Sequence, residues 1–178
     1  LTGGSHDGET TAYGAFAEAL AAWARRTSTA EVERSLGPDG AVLGRIVPAL
    51  HEVVDLGEPT DLPPAEATAR VHDAVSQVLS RLADAAPVVL VLDDLHWADH
   101  ATIGLLRAVA RRSLRTRLLV IGTYRDTDLD RRHPLAEALP LLRREVEPTR
   151  LALAGLPVEE VHALLEDVSG QVVPHEFA

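Results

Sequence analysis

Apolar residues recur along this chain with two different periods, and the change between them falls near residue 87. From Ala15 to Arg26, Phe16, Leu20 and Trp23 follow the spacing of one helical face, which predicts a helix. Thr29 to Leu36 predicts a short helix stopped by Gly37-Pro38. Val42, Ile46, Leu50, Val53 and Val54 carry the helical period from Ala41 to Leu56. The acidic, Pro-rich stretch Gly57 to Pro64 reads as a linker. A longer helix follows it, with Val71, Val75, Val78, Leu79 and Leu82 on one side. Residues 1–14, rich in Gly, Thr and Ser, read as the end of a strand and a polar loop.

Beyond Pro87 the pattern changes. Val88 to Leu92 is continuously apolar and rich in β-branched residues, which predicts a strand buried on both faces in a helix-covered parallel sheet. Asp99 is placed to cap a helix running to about Ser113, with Ile103, Leu106, Val109 and Ala110 inward. Leu118 to Gly122 predicts a second buried strand. Pro134 suits the first position of another helix, with Leu135, Leu139 and Leu142 inward. Pro140 is expected to kink or restart that helix. Leu151 to Leu153 predicts a third, shorter strand, and Pro157 opens a last helix carrying Val161, Leu164, Leu165 and Val168. The half from 87 to 178 thus reads β-α-β-α-β-α, the order of a parallel α/β sheet, after a mostly helical stretch 1–86.

Composition narrows the function. The 178 residues suffice for one domain of ordinary size. No apolar run approaches the length that crosses a bilayer, and no export signal opens the chain, so a cytoplasmic protein without a membrane partner is expected. The absence of Cys excludes disulfides and thiolate metal sites. The absence of Met, even at position 1, predicts a piece of a longer product. All 17 basic side chains are Arg. Net charge is −10, all of it in residues 1–100, which hold 16 acids and 6 Arg, whereas residues 101–178 balance 11 against 11. Nothing supplies the basic surplus of a nucleic-acid binder, so contact with DNA is expected only through a separate domain.

The most informative segment is Val88-Val89-Leu90-Val91-Leu92-Asp93-Asp94-Leu95-His96-Trp97-Ala98-Asp99. Ligands of open parallel sheets bind at the carboxyl ends of the strands. Two carboxylates ending a buried strand need a cation or hydrogen bonds to offset their desolvation. Mg²⁺ is a hard ion that takes carboxylate oxygen and water. On this chemistry Asp93 holds Mg²⁺, usually through water, and Asp94 orients or deprotonates an attacking water.

The ordered blocks LVLDDLHWAD, LLVIGTYRDTDL, HPLAEAL, LRRE and RLALAGLPVEEVHALL resemble the AAA/STAND-type P-loop ATPase domains of large LuxR-type transcriptional regulators, modules often described as origin-recognition-like. Ala12 to Leu20 also looks like the family's segment after its second strand. The resemblance implies a three-layer α/β/α P-loop NTPase sheet that uses ATP and Mg²⁺. By similarity, Asp93 takes the Walker B magnesium position and Asp94 the catalytic acidic position. Thr123 and Arg125 take the sensor 1 position, where a polar or cationic group reads the γ-phosphate. The other expectation for Arg125 is an ion pair with Asp126 or Asp128. The Walker A element GxxxxGK[ST] is missing, and no Lys exists to contact the β- and γ-phosphates. The sheet is therefore expected to be incomplete, lacking the strand that normally sits between two of those present. The 178 residues alone are expected neither to bind ATP tightly nor to hydrolyse it.

Two other readings compete. His96, Asp99 and His100 spell HxxDH beside the carboxylate pair, the residue types of a metal-dependent hydrolase. A non-catalytic interaction module is the other. Trp97 and Tyr124 are its candidate anchors, and the face bearing Arg107, Arg111, Arg112 and Arg115 is its candidate for self-association with the acidic half of another copy.

Overall fold

A computed structural model of the chain describes residues 1–8, 11–58 and 61–171. They fall into two compact units, Leu1–Glu147 and Pro148–Ala178.

The first unit holds three strands, β1 (Thr2–Gly4), β2 (Val88–Asp93) and β3 (Leu118–Gly122), in a wholly parallel sheet of order β1-β2-β3. Among the described residues this unit also holds six α-helices: α1 (Gly14–Arg25), α2 (Thr29–Leu36), α3 (Gly40–Ile46), α4 (Pro64–Ala85), α5 (His100–Ser113) and α6 (Pro134–Glu145). This is the incomplete parallel α/β architecture expected, with its helices concentrated before β2.

The sheet is covered on one side. Leu90 and Leu92 of β2 are buried against the helices, and their partners across β3 are Val120 and Gly122. On the opposite face Val89 is 46% exposed, Leu119 57% and Ile121 41%. The apolar run had predicted burial on both faces; in the structure the alternation of strand side chains sends every second one away from the helical layer. Incompleteness therefore reaches the layers as well as the strands.

Close contact fixes the first helix. A Cβ on Gly3 would stand 1.8 Å from the carbonyl oxygen of Ala15, so only glycine lets α1 lie flush on β1. Phe16 and Leu20 then enter the core. Between α2 and α4 sits Asp39, 3% exposed, whose carboxylate pairs with Arg70 at 3.0 Å and Arg81 at 2.6 Å. Arg81 also donates to the carbonyls of Ser35 and Leu36, which the end of α2 leaves without helical donors.

Three expectations are corrected. The helix predicted from Ala41 to Leu56 ends at Ile46, and a 3₁₀ turn follows at Pro48–Glu52. Pro48 has no N–H and disfavours the helical conformation in Val47, which adopts φ −127°, ψ 75°. Pro140 does not restart α6, which runs from Pro134 to Glu145 with the proline inside it. The proline is exposed, so the carbonyl it leaves without a donor on that surface can turn to water. Leu151 to Leu153 forms no strand, and Leu151 and Leu153 are 81% and 93% exposed.

Within the second unit, α7 (Val158–Ser169) starts after Pro157 and closes on Gly170 in the left-handed conformation.

Candidate functional site at the tips of β2 and β3

The central strand delivers two carboxylates to its carboxyl end. Asp93 is the last residue of β2 and is exposed. Asp94 leaves the strand in the left-handed region, φ 53°, ψ 42°, which few residues other than Gly, Asn and Asp tolerate. That turn lets the chain fold at once into a 3₁₀ turn, Leu95–Trp97. Leu95 packs down over β3, where a Cβ on Gly122 would meet its Cδ1 at 2.6 Å.

Thr123, one residue past β3, ties this corner together. Its amide donates to the carbonyl of Leu92 at 3.0 Å and its carbonyl accepts from Leu95 at 2.8 Å. Its hydroxyl accepts the Asp94 amide at 3.0 Å and donates to Oδ1 of Asp93. On the other side, Ser5 beyond β1 donates its amide to the Asp93 carbonyl at 3.0 Å. Three strand ends thus converge on the two acids.

The Thr123 hydroxyl and the Asp93 carboxylate meet as hard oxygen donors, the type that suits Mg²⁺, while Asp94 joins them through its backbone amide and turns its carboxylate towards His96. Arg125 lies two residues further on, exposed and in extended backbone at φ −95°, ψ 123°. Asp128 faces His96, its Oδ2 3.6 Å from Nε2.

His96 is the residue the sequence placed least well. Its side chain is fully buried, Nδ1 lies 3.7 Å from Oδ1 of Asp94, and neither ring nitrogen has a hydrogen-bond partner. Trp97 packs beside the ring with centroids 5.0 Å apart. The HxxDH spelling offered His96 as a metal ligand together with His100. In the structure Asp99 caps α5 by accepting the Thr102 amide at 2.8 Å, and His100 begins that helix on the exposed side. Among the described residues no group of three or more His, Asp or Glu is arranged to hold a metal ion. The Asp128 contact has no sequence signal, because 32 positions separate it from His96.

The remaining candidates lie apart from this corner or serve packing. Trp97 is 42% exposed, whereas Tyr124 packs against the core. Arg107 and Arg111 pair with Glu145 of α6 at 2.6 and 3.4 Å, and Arg112 donates to Ser80 of α4 at 3.0 Å. The hydrogen bond from Arg107 holds the Glu145 carboxyl below its usual range. Much of the Arg face therefore staples α5 to its neighbours. No helix among the described residues is long and apolar enough to cross a membrane.

Residues 3–121, two thirds of the chain, match the family model of the AAA ATPase domain. The matched span contains Asp93 and Asp94 and stops two residues before Thr123. No curated protein and no solved structure matches the chain.

Proposed function

Since the chain belongs to the AAA ATPase domain family, we propose that Asp93, Asp94 and Thr123 form the magnesium and water end of an ATP-hydrolysing site. The observation that carries this reading is the hydroxyl of Thr123 joined to both acids at the tip of the central parallel strand. Members of this family generally bind ATP with Mg²⁺.

Asp93 is the residue that holds Mg²⁺, through water, and Thr123 fixes the direction of its carboxylate. Asp94 accepts a hydrogen bond from the attacking water and takes up its proton as the new bond to the γ-phosphorus forms and the bond to the β–γ bridging oxygen breaks, ADP leaving with that oxygen. Bound Mg²⁺ supplies neutralisation of the charge on the phosphate oxygens. Arg125, exposed two residues beyond Thr123, offers a planar guanidinium to the γ-phosphate. These 178 residues contain no lysine to cradle the β- and γ-phosphates.

On this reading the chain is part of one ATPase domain of a larger cytoplasmic signalling protein or LuxR-type transcriptional regulator of STAND type, and any DNA contact belongs to a separate domain. The order of the sequence blocks from Pro87 to Leu165 supports that context. ATP binding and hydrolysis then switch the regulator between two states, with Asp94 and Arg125 sensing the γ-phosphate. Calorimetry of Mg²⁺-ATP binding to the full-length protein tests the proposal. Asp93→Ala is expected to weaken binding when Mg²⁺ is present; equal affinity in the variant and the wild type overturns the assignment.

A further inference from the structure

We infer that His96 is a positioning residue, a fixed post that aims the Asp94 carboxylate and ties it to the turn after Arg125. The inference rests on the ATPase reading above and deepens it.

The ring of His96 is completely buried, and both of its nitrogens lack hydrogen-bond partners. Such pairs of orphans are uncommon, because a buried nitrogen that loses water without gaining a partner is unfavourable. Here each nitrogen faces a carboxylate: Nδ1 faces Oδ1 of Asp94 at 3.7 Å, and Nε2 faces Oδ2 of Asp128 at 3.6 Å. Both distances exceed the hydrogen-bonding range by a few tenths of an ångström. Catalytic hydrogen bonds are often long before substrate binds and tighten with it. The ring is enclosed and flanked by Trp97, so it stays put. The carboxylates are the more exposed parties, with side chains 47% exposed in Asp94 and 34% in Asp128, whose Oδ1 accepts from the Thr127 hydroxyl at 2.9 Å.

The backbone of Asp94 is already pinned by the hydrogen bond its N–H donates to the Thr123 hydroxyl, which leaves the side-chain direction as its main freedom. Closure of Oδ1 onto Nδ1 removes that freedom and leaves the second oxygen to face water. Closure of Asp128 onto Nε2 holds the Asp126–Asp128 turn, whose Asp128 amide donates to the Arg125 carbonyl at 3.2 Å. A carboxylate only accepts, so both ring nitrogens must carry a proton when both contacts close, and one buried ring then links the acid to the segment that carries Arg125.

The test is steady-state hydrolysis of Mg²⁺-ATP by the full-length protein. His96→Leu is expected to lower kcat about ten- to a hundredfold with KM little changed. His96→Asn, which keeps a donor near the Nδ1 position, is expected to recover most of that loss. A packing role predicts the reverse order, since Leu suits a buried site better than Asn, and that order overturns the inference. Asp128→Asn, at an exposed side chain that does not endanger folding, is expected to lower kcat in the same direction. Apart from turnover, ¹⁵N-histidine spectra without nucleotide are expected to show the Nδ1 resonance of His96 moving in Asp94→Asn and the Nε2 resonance in Asp128→Asn. Unmoved resonances overturn the inference. If Asp94→Asn itself leaves hydrolysis intact, the ATPase reading fails. If Asp94→Asn abolishes hydrolysis while His96→Leu and Asp128→Asn keep full kcat, only the positioning role fails.

Discussion

The hydroxyl oxygen of Thr123 lies 3.0 Å from the amide nitrogen of Asp94, reaching from the end of one parallel strand to the end of the next. The same hydroxyl donates to the Asp93 carboxylate, so a single side chain sets both the backbone of one acid and the carboxylate of the other. Thr123→Val keeps the shape and removes the oxygen. It is expected to cost about 1 kcal/mol in denaturant unfolding, the usual net value of such a bond near the surface. It is also expected to weaken Mg²⁺-ATP binding by the full-length protein. Thr123→Ser should restore both, and failure of Ser to do so assigns the effect to the lost methyl group.

The two acids are expected to separate kinetically. Asp94→Ala in the full-length protein should lower turnover more than binding, because its contact with the attacking water is made mainly in the transition state. Asp93→Ala should act on the use of Mg²⁺-ATP as a whole. Wild-type hydrolysis rates in Asp94→Ala remove its role in water activation.

Gly3→Ala is expected to be among the most damaging substitutions in the sheet. The new methyl would fall 1.8 Å from the Ala15 carbonyl oxygen, and that obstacle is backbone. Helix α1 must lift from β1, at about 3 kcal/mol or more. A thermal midpoint like that of wild type contradicts the tight contact.

Asp39→Ala removes the common partner of Arg70 and Arg81. Both arginines retain some access to water, so the expected loss is that of charge-assisted hydrogen bonds, about 2 kcal/mol. Urea unfolding reads it directly, and a loss below measurement error shows that the pair contributes only packing.

Acid is expected to weaken the fold through His72. Burial lowers its pKa, with Asp73 opposing and Arg111 reinforcing the shift. The folded state therefore binds a proton less readily than the unfolded chain. The resulting stability is present above the unfolded pKa of about 6.5 and declines as the pH falls below it towards the folded value. The stability of wild type relative to His72→Leu should accordingly shrink on acidification through this window. A difference independent of pH shows that the imidazole titrates alike in both states.

Period and punctuation in the sequence determined most of the local structure. Thr29–Leu36 and Leu118–Gly122 formed with the bounds predicted, Asp99 capped its helix, and the strand ending in Asp93 lay between two others. These features depend on neighbours a few residues away, or on an apolar run strong enough to demand burial. What the sequence left open depends on contacts between distant segments. Val89, Leu119 and Ile121 are exposed because the sheet carries helices on one face, and a run of apolar residues does not say which face will be covered. Leu151–Leu153 has strand chemistry yet forms no strand, because backbone hydrogen bonding across a sheet is a property of two segments and a local pattern supplies only one. The tertiary structure alone put His96 between Asp94 and Asp128, because a turn in the left-handed region and the packing of Leu95 over Gly122 fold the ring inward.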